Sequence, residues 1–108
     1  MIKVTMYIDG EGNYTGFKSE GHAEDAAHGK SLVCAGVSTA VFGAYYFIKY
    51  GTVAQLNMQS DLGALSIQLK SPNHDASVAL RQLISTIEMV KAEYGGIEII
   101  NKRGEYGH

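Results

Sequence analysis

The hydrophobic pattern of the chain switches between a period of two residues and a period of three to four, and this switching limits the possible folds most. From Ile2 to Ile8, apolar and polar residues alternate, as in a strand with one buried face. Between Ser31 and Tyr50, apolar residues recur every three or four positions, as in a helix. The same succession then repeats, and one more apolar stretch follows. The order β-β-α-β-β-α-β predicts an α+β, two-layer sandwich, with two helices packed on one face of a mostly antiparallel or mixed sheet.

Turn-forming residues divide the strand patterns into two hairpins and a final strand. The predicted strands are residues 2–8, 14–21, 52–58, 64–70 and 97–100. Residues 9–13 and 59–63 connect the hairpins and are rich in Gly, Asp, Asn and Ser, which favour chain reversal. Residues 101–108 are mostly polar, and we predict that they form a flexible tail.

The first predicted helix covers residues 31–50 and is apolar on more than one side. The Ser31 hydroxyl can accept a hydrogen bond from a first-turn amide, so we predict Ser31 as the N-cap and Gly51 as a left-handed helix end. The main apolar stripe contains Cys34, Ser38, Val41, Tyr45 and Ile48. Because one sheet cannot cover this much apolar surface, we expect a homodimer that meets around Phe42, Tyr45 and Tyr46.

The second predicted helix is amphipathic. It starts within the Ser-Pro-Asn sequence at residues 71–73, because proline is tolerated in the first turn, and Gly95 and Gly96 stop it. Its apolar face consists of Ala76, Leu80, Leu83, Ile87, Val90 and Tyr94.

Composition narrows the class of protein further. The 108 residues suit a single domain over residues 1–108, and the net charge of −2 argues against broad nucleic-acid binding, which needs a concentrated basic face. The single cysteine cannot form an internal disulfide and fits a reducing compartment. Glycines interrupt the longest apolar stretch, residues 32–48, and the alternating N-terminus does not match a signal peptide. We therefore expect a soluble, cytoplasmic protein that does not contact a membrane.

Cys34 and His22 are the pair of side chains that can carry chemistry in this pattern. Cys34 falls in the first turn of the first helix, where free amides and the positive end of the helix dipole stabilise a thiolate. His22 follows the second strand across a polar loop from Cys34, so its ring can act as general base. Gly21 allows a bend before His22, Ser38 lies one turn beyond Cys34, and amides around Ala35 can hold an oxyanion.

The same residues also have structural interpretations. A lone cysteine between apolar helix residues is commonly inert core packing, and a single histidine is commonly a surface or capping residue. A metal site made from His22, His28 and Cys34 lacks a fourth ligand and the close spacing of known sites, so we expect no metal and no other cofactor.

Two motifs together give a family resemblance. Gly-His-Ala at residues 21–23 is followed by a polar loop and then by Leu-Val-Cys-Ala-Gly-Val-Ser at residues 32–38. This combination resembles the ribosomal-processing cysteine protease (Prp) family, and the likeness in size and element order extends over nearly the whole chain. It implies a bacterial, cytoplasmic, homodimeric endopeptidase. Such an enzyme removes a short N-terminal extension from the large-subunit ribosomal protein that reaches toward the peptidyl-transferase centre.

The resemblance also implies roles for individual residues. By position, Cys34 resembles the nucleophile and His22 the general base, while residues 24–30 resemble a mobile segment that covers the cleft. The neighbouring motif positions are held by Gly21, Ala23 and Ser38. Family members usually carry an acidic residue three positions before the cysteine, where this chain has Ser31. A Cys–His dyad is therefore expected, and a triad is left open, because the third member mainly orients the base.

Two functions of other classes are also compatible with the sequence. One is a non-catalytic, ribosome-associated binding or assembly module, a degenerate protease that binds the extension without cutting it. The other is a small RNA-binding domain, although the sequence shows no basic stripe and no aromatic pair on a predicted strand.

Overall fold

The computed structural model describes residues 1–21, 31–61 and 64–104. Its elements are β1 (Ile2–Ile8), β2 (Tyr14–Glu20), α1 (Ser31–Gly51), β3 (Leu56–Asp61), β4 (Ala64–Leu69), α2 (His74–Tyr94) and β5 (Ile97–Arg103). The predicted order of elements and the α+β class are confirmed.

The five strands form one mixed sheet in the order β3-β4-β2-β1-β5. β1 and β5 are parallel, whereas the other neighbouring pairs are antiparallel. Met6 pairs with Phe17, and Phe17 pairs with Ile67, so one face of the sheet is buried across three strands. Residues that alternate with them, such as Lys18 and Gln68, are only partly buried and lie on the opposite face. The helices therefore share one face of the sheet, as predicted.

α2 packs through the predicted apolar face, except at its end. Leu80, Leu83 and Ile87 are fully buried, whereas Tyr94 is 62% exposed. The prediction for Tyr94 is wrong because the last turn of α2 extends past the apolar surface on which the rest of the helix packs.

α1 buries a different stripe from the predicted one. Its buried residues are Val33, Val37, Val41, Ala44 and Ile48. Cys34, Ser38 and Tyr45 are only partly buried, at the edge of this stripe. Because α1 is apolar on several sides, its period alone does not select the face, and packing against α2 and the sheet decides it.

By length and composition alone, residues Leu32–Gly51 of the described chain could cross a bilayer. Core helices of globular proteins have the same properties. In this structure, Val37, Val41 and Ile48 of this segment belong to the core that α1 shares with α2 and the sheet.

Two helix ends differ from the prediction. α2 starts at His74, after Asn73, whose Oδ1 accepts a hydrogen bond from the amide of Ala76 at 2.9 Å. Pro72 therefore precedes the helix and is not part of its first turn. At the other end, the amide of Gly95 donates to the carbonyl of Lys91 at 2.8 Å, with a φ of 71° at Gly95, as expected for a glycine stop.

α1 ends through a hydroxyl and not through a left-handed glycine. Gly51 remains helical, and its φ is not positive. The hydroxyl of Thr52 donates to the carbonyl of Ile48 at 2.7 Å and accepts from the amide of Ala54 at 3.0 Å. The prediction that Gly51 ends the helix is wrong because the Thr52 side chain satisfies a terminal carbonyl instead.

Strand boundaries also shift at two places. β3 covers Leu56–Asp61, so residues 59–61, predicted as part of a turn, pair with β4 up to Asp61 opposite Ala64. β5 continues to Arg103 and pairs with β1 over residues 101–103, which the prediction assigned to the flexible tail. Polar side chains do not prevent strand formation there, because backbone groups make the ladder. Residues 105–108 of the predicted tail lie outside the described residues.

We expect Asn73→Ala to lower the free energy of unfolding by about 1 kcal/mol, because a first-turn amide of α2 loses its acceptor. Urea unfolding followed by circular dichroism measures the change. Ser71→Ala, at an exposed position just before the proline, is the control and should stay within about 0.5 kcal/mol of the wild type. Equal effects of the two substitutions would contradict the capping role.

Candidate active site

Cys34 lies in a cleft of about 280 Å³ at the end of the sheet where β2 and β3 finish and β4 begins. From α1, the cleft is lined by Cys34, Ser38 and Phe42. Ser19 and Gly21 of the β2 end contribute from the sheet side. The predicted neighbours Gly21, Cys34 and Ser38 therefore meet at one place.

Cys34 is partly exposed and is a free thiol in the first turn of α1. Val33 and Val37 on either side of it are buried and hold this turn against the core. Because Cys34 is offset from them around the helix, its side chain lies at the rim of the core and lines the cleft. This position differs from that of an inert, fully buried cysteine.

Gly21 makes the bend that the sequence predicts after β2. Its φ is +92°, and a Cβ atom at this position would lie 2.7 Å from the carbonyl oxygen of Met1. The left-handed backbone and the close approach of Met1 both require glycine. The direction in which the chain leaves β2 toward residue 22 is therefore determined by Gly21.

Several predicted site residues are not tested by this geometry. His22, Ala23 and residues 24–30 lie outside the described residues. Ser31 is the first residue of α1, although its side chain is not described. Ala35 is exposed and does not line the Cys34 cleft. Among the described residues, no group of three or more His, Cys, Asp or Glu side chains is arranged to hold a metal ion.

Sequence reasoning missed the cleft residues that the sheet contributes. Ser19 and Leu65 are paired across β2 and β4, and Ser60 and Asp61 end β3 beside them. Alternation indicates which face of a strand is buried, but it does not indicate that β2 lies next to β4. Ser19 carried one weak signal, since it is a small polar residue in phase with the buried Phe17.

Comparison with known proteins identifies the family. The sequence model of the family described as cysteine protease Prp matches residues 1–98. The chain belongs to this family. The Prp family consists of cysteine proteases, and the membership agrees with the resemblance noted in the two sequence motifs.

Individual Prp relatives are similar over most of their length. The ribosomal processing cysteine protease Prp of Staphylococcus aureus is 29% identical over 98 residues, covering 87% of this chain and 92% of the relative. That of Bacillus subtilis is 28% identical over 101 residues, covering 87% and 90%.

Solved structures extend this similarity to the fold. The essential ribosomal processing protease Prp from S. aureus, in complex with a covalently linked product peptide, has a TM-score of 0.85 and 28% identity. The same S. aureus protease in complex with a substrate peptide has a TM-score of 0.85 and 27% identity. Each match covers 94% of this chain and 100% of the solved chain.

We expect Gly21→Ala to lower the free energy of unfolding by roughly 2 kcal/mol or more, because it adds both an unfavourable φ and a clash with the Met1 carbonyl. Thermal and urea unfolding measure the loss. Gly12→Ala is the matched control, since Gly12 has a φ of +89° but no atom within 4 Å of a new Cβ, and it should cost about 1 kcal/mol. A loss at Gly21 no larger than that at Gly12 would show that the contact with Met1 has no effect.

Proposed function

We propose that this protein is a cysteine endopeptidase in which Cys34 is the nucleophile and His22 the general base. The observation that carries the proposal is the position of Cys34, a partly exposed free thiol in a cleft at the start of a helix. Membership of the cysteine protease Prp family supports it. Gly21 supports the role of His22, because its bend positions the chain for the next residue at the same cleft.

In the proposed first half-reaction, the Cys34 thiolate attacks the scissile carbonyl carbon and a C–S bond forms. The amides at the start of α1, around Ala35, hold the oxyanion. Protonated His22 gives its proton to the leaving amine, the C–N bond breaks and a thioester remains. In the second half-reaction, His22 takes a proton from water, the resulting hydroxide attacks the thioester and the C–S bond breaks. The Cys34 thiolate is regenerated, and the acid product leaves.

The proposed substrate is the N-terminal extension of a large-subunit ribosomal protein, of the kind whose N-terminus reaches toward the peptidyl-transferase centre. The relatives from S. aureus and B. subtilis are named as ribosomal processing proteases, and the S. aureus structures hold substrate and product peptides. With such a substrate, the protein would act in the bacterial cytoplasm, where ribosomes assemble. The proposal includes no direct contact with nucleic acid or membrane.

We expect Cys34→Ala and His22→Ala each to reduce cleavage of the extended ribosomal protein by more than about 1000-fold, because each removes a group that takes part in bond breaking. Mass spectrometry of the product measures cleavage. The melting temperature of each variant checks that it is folded, and Ser66→Ala, on the open face of the sheet, should cleave like the wild type.

Wild-type protein that binds the extension and leaves it intact would contradict the protease proposal and favour the non-catalytic binding module. Full activity of Cys34→Ala would contradict the role of this thiol.

We further propose a homodimer formed through the exposed aromatic side chains of α1. Tyr46 and Tyr50 are stacked with their ring centroids 5.8 Å apart, and they are 55% and 71% exposed. Phe42 and Phe47 beside them are also exposed. Large aromatic side chains grouped on one helix are typical of surfaces that a partner covers. The predicted contact residue Tyr45 is partly buried and packs against the core, so it lies at the edge of this group.

We expect Tyr46→Glu to shift the protein from dimer to monomer in light scattering at micromolar concentration, because it places a charge in the apolar contact. Tyr94→Glu is the matched control, since Tyr94 is 62% exposed at the end of α2. It should leave the molar mass unchanged. A wild-type monomer at the same concentration would contradict the dimer.

A further inference from the structure

Ser19 is an exception on the buried face of the sheet. It lies on β2 in phase with Phe17 and is paired with Val4 of β1 and Leu65 of β4. Val4 and Phe17 are fully buried hydrophobic residues. Ser19 is also buried, with 5% exposure, yet it is small and polar. The position therefore has the surroundings of a core residue but not the volume of one.

The space beside Ser19 belongs to the Cys34 cleft. Ser19 and Cys34 line this cleft from opposite layers, the sheet and α1 respectively. The remaining walls near them include Ile2, Val37 and Leu65, which are apolar. With about 280 Å³, the cleft exceeds several-fold the roughly 30 Å³ that one water molecule occupies in the liquid. A small residue at position 19 thus keeps open a space that a larger side chain would fill.

We infer that Ser19 determines the size of the substrate side chain that this protease accepts next to the scissile bond. This inference rests on the proposed endopeptidase function. The acyl part of the substrate stays attached to Cys34 as the thioester, so its last side chain is the one held in the cleft that Cys34 lines. Apolar walls and a small base select a bulky apolar side chain at that position. Ser19 is a specificity-determining residue, and its hydroxyl takes no part in the reaction.

The test uses two peptides of the ribosomal extension that carry either Phe or Ala immediately before the scissile bond. In the Ser19→Met variant, kcat/KM for the Phe peptide should fall at least about ten-fold relative to the Ala peptide, because the methionine fills the cleft. Ser19→Ala removes the hydroxyl and adds no volume, so it should keep the Phe-to-Ala ratio within about three-fold of the wild type. Ser66→Met, on the opposite face of the sheet, is the control for the methionine itself and should keep the wild-type ratio.

Two results would overturn the inference: an equal loss on both peptides in Ser19→Met, or a selective loss in Ser19→Ala as large as in Ser19→Met. If melting curves show that Ser19→Met is unfolded, Ser19→Val gives the same test with a smaller side chain.

Wild-type protein that cuts neither peptide would contradict the proposed function and not the role of Ser19. The affinities of the uncut peptides, measured by fluorescence anisotropy, then test Ser19 with the same variants. Selective weakening of the Phe peptide by Ser19→Met supports the inference, and unchanged relative affinity overturns it.

Discussion

The geometry of the cleft depends on the antiparallel pairing of β2 with β4. These strands are not consecutive, since α1 and β3 lie between them in the chain. Their register places Glu20 opposite Ala64, and Ala64 is opposite Asp61 of β3. Three strand ends therefore meet at one edge of the sheet. Without this pairing, Gly21 and the end of β3 would not lie beside the same cleft.

The exposure of Cys34 follows from helical geometry combined with one-sided burial. Val33 and Val37 are one turn apart and both point into the core. The residue after Val33 is rotated by about 100° around the helix axis. Cys34 therefore lies at the edge of the buried stripe, close enough to the helix start to benefit from its free amides. A nucleophile at this position needs no unusual backbone, only a helix whose core contacts are shifted by one residue.

The elements were predictable from the sequence because alternation and helical spacing are local properties. The face of α1 was not, since this helix is apolar on most sides and the observed face depends on α2 and the sheet. The ends of β3 and β5 were also missed, because residues 59–61 and 101–103 are polar and are held by backbone pairing with β4 and β1. For the same reason, Cys34, Ser38 and Gly21 were found as site residues, whereas Ser60 and Asp61 were not. Their place in the cleft depends on the order of the strands.

The cleft is a part of the core that the sequence leaves unfilled. Fully burying a Val or Leu side chain contributes about 1.5–3 kcal/mol, and a serine at position 19 forgoes most of that. Partly buried Ser38 and the glycine at position 21 continue the small residues along the same cleft. The lost packing is offset elsewhere, by Leu80, Leu83 and Ile87 of α2 and the strands beneath them, all on the closed side of the sandwich. Stability is therefore concentrated away from the start of α1, and this leaves the thiol of Cys34 accessible at the end of the fold that can open.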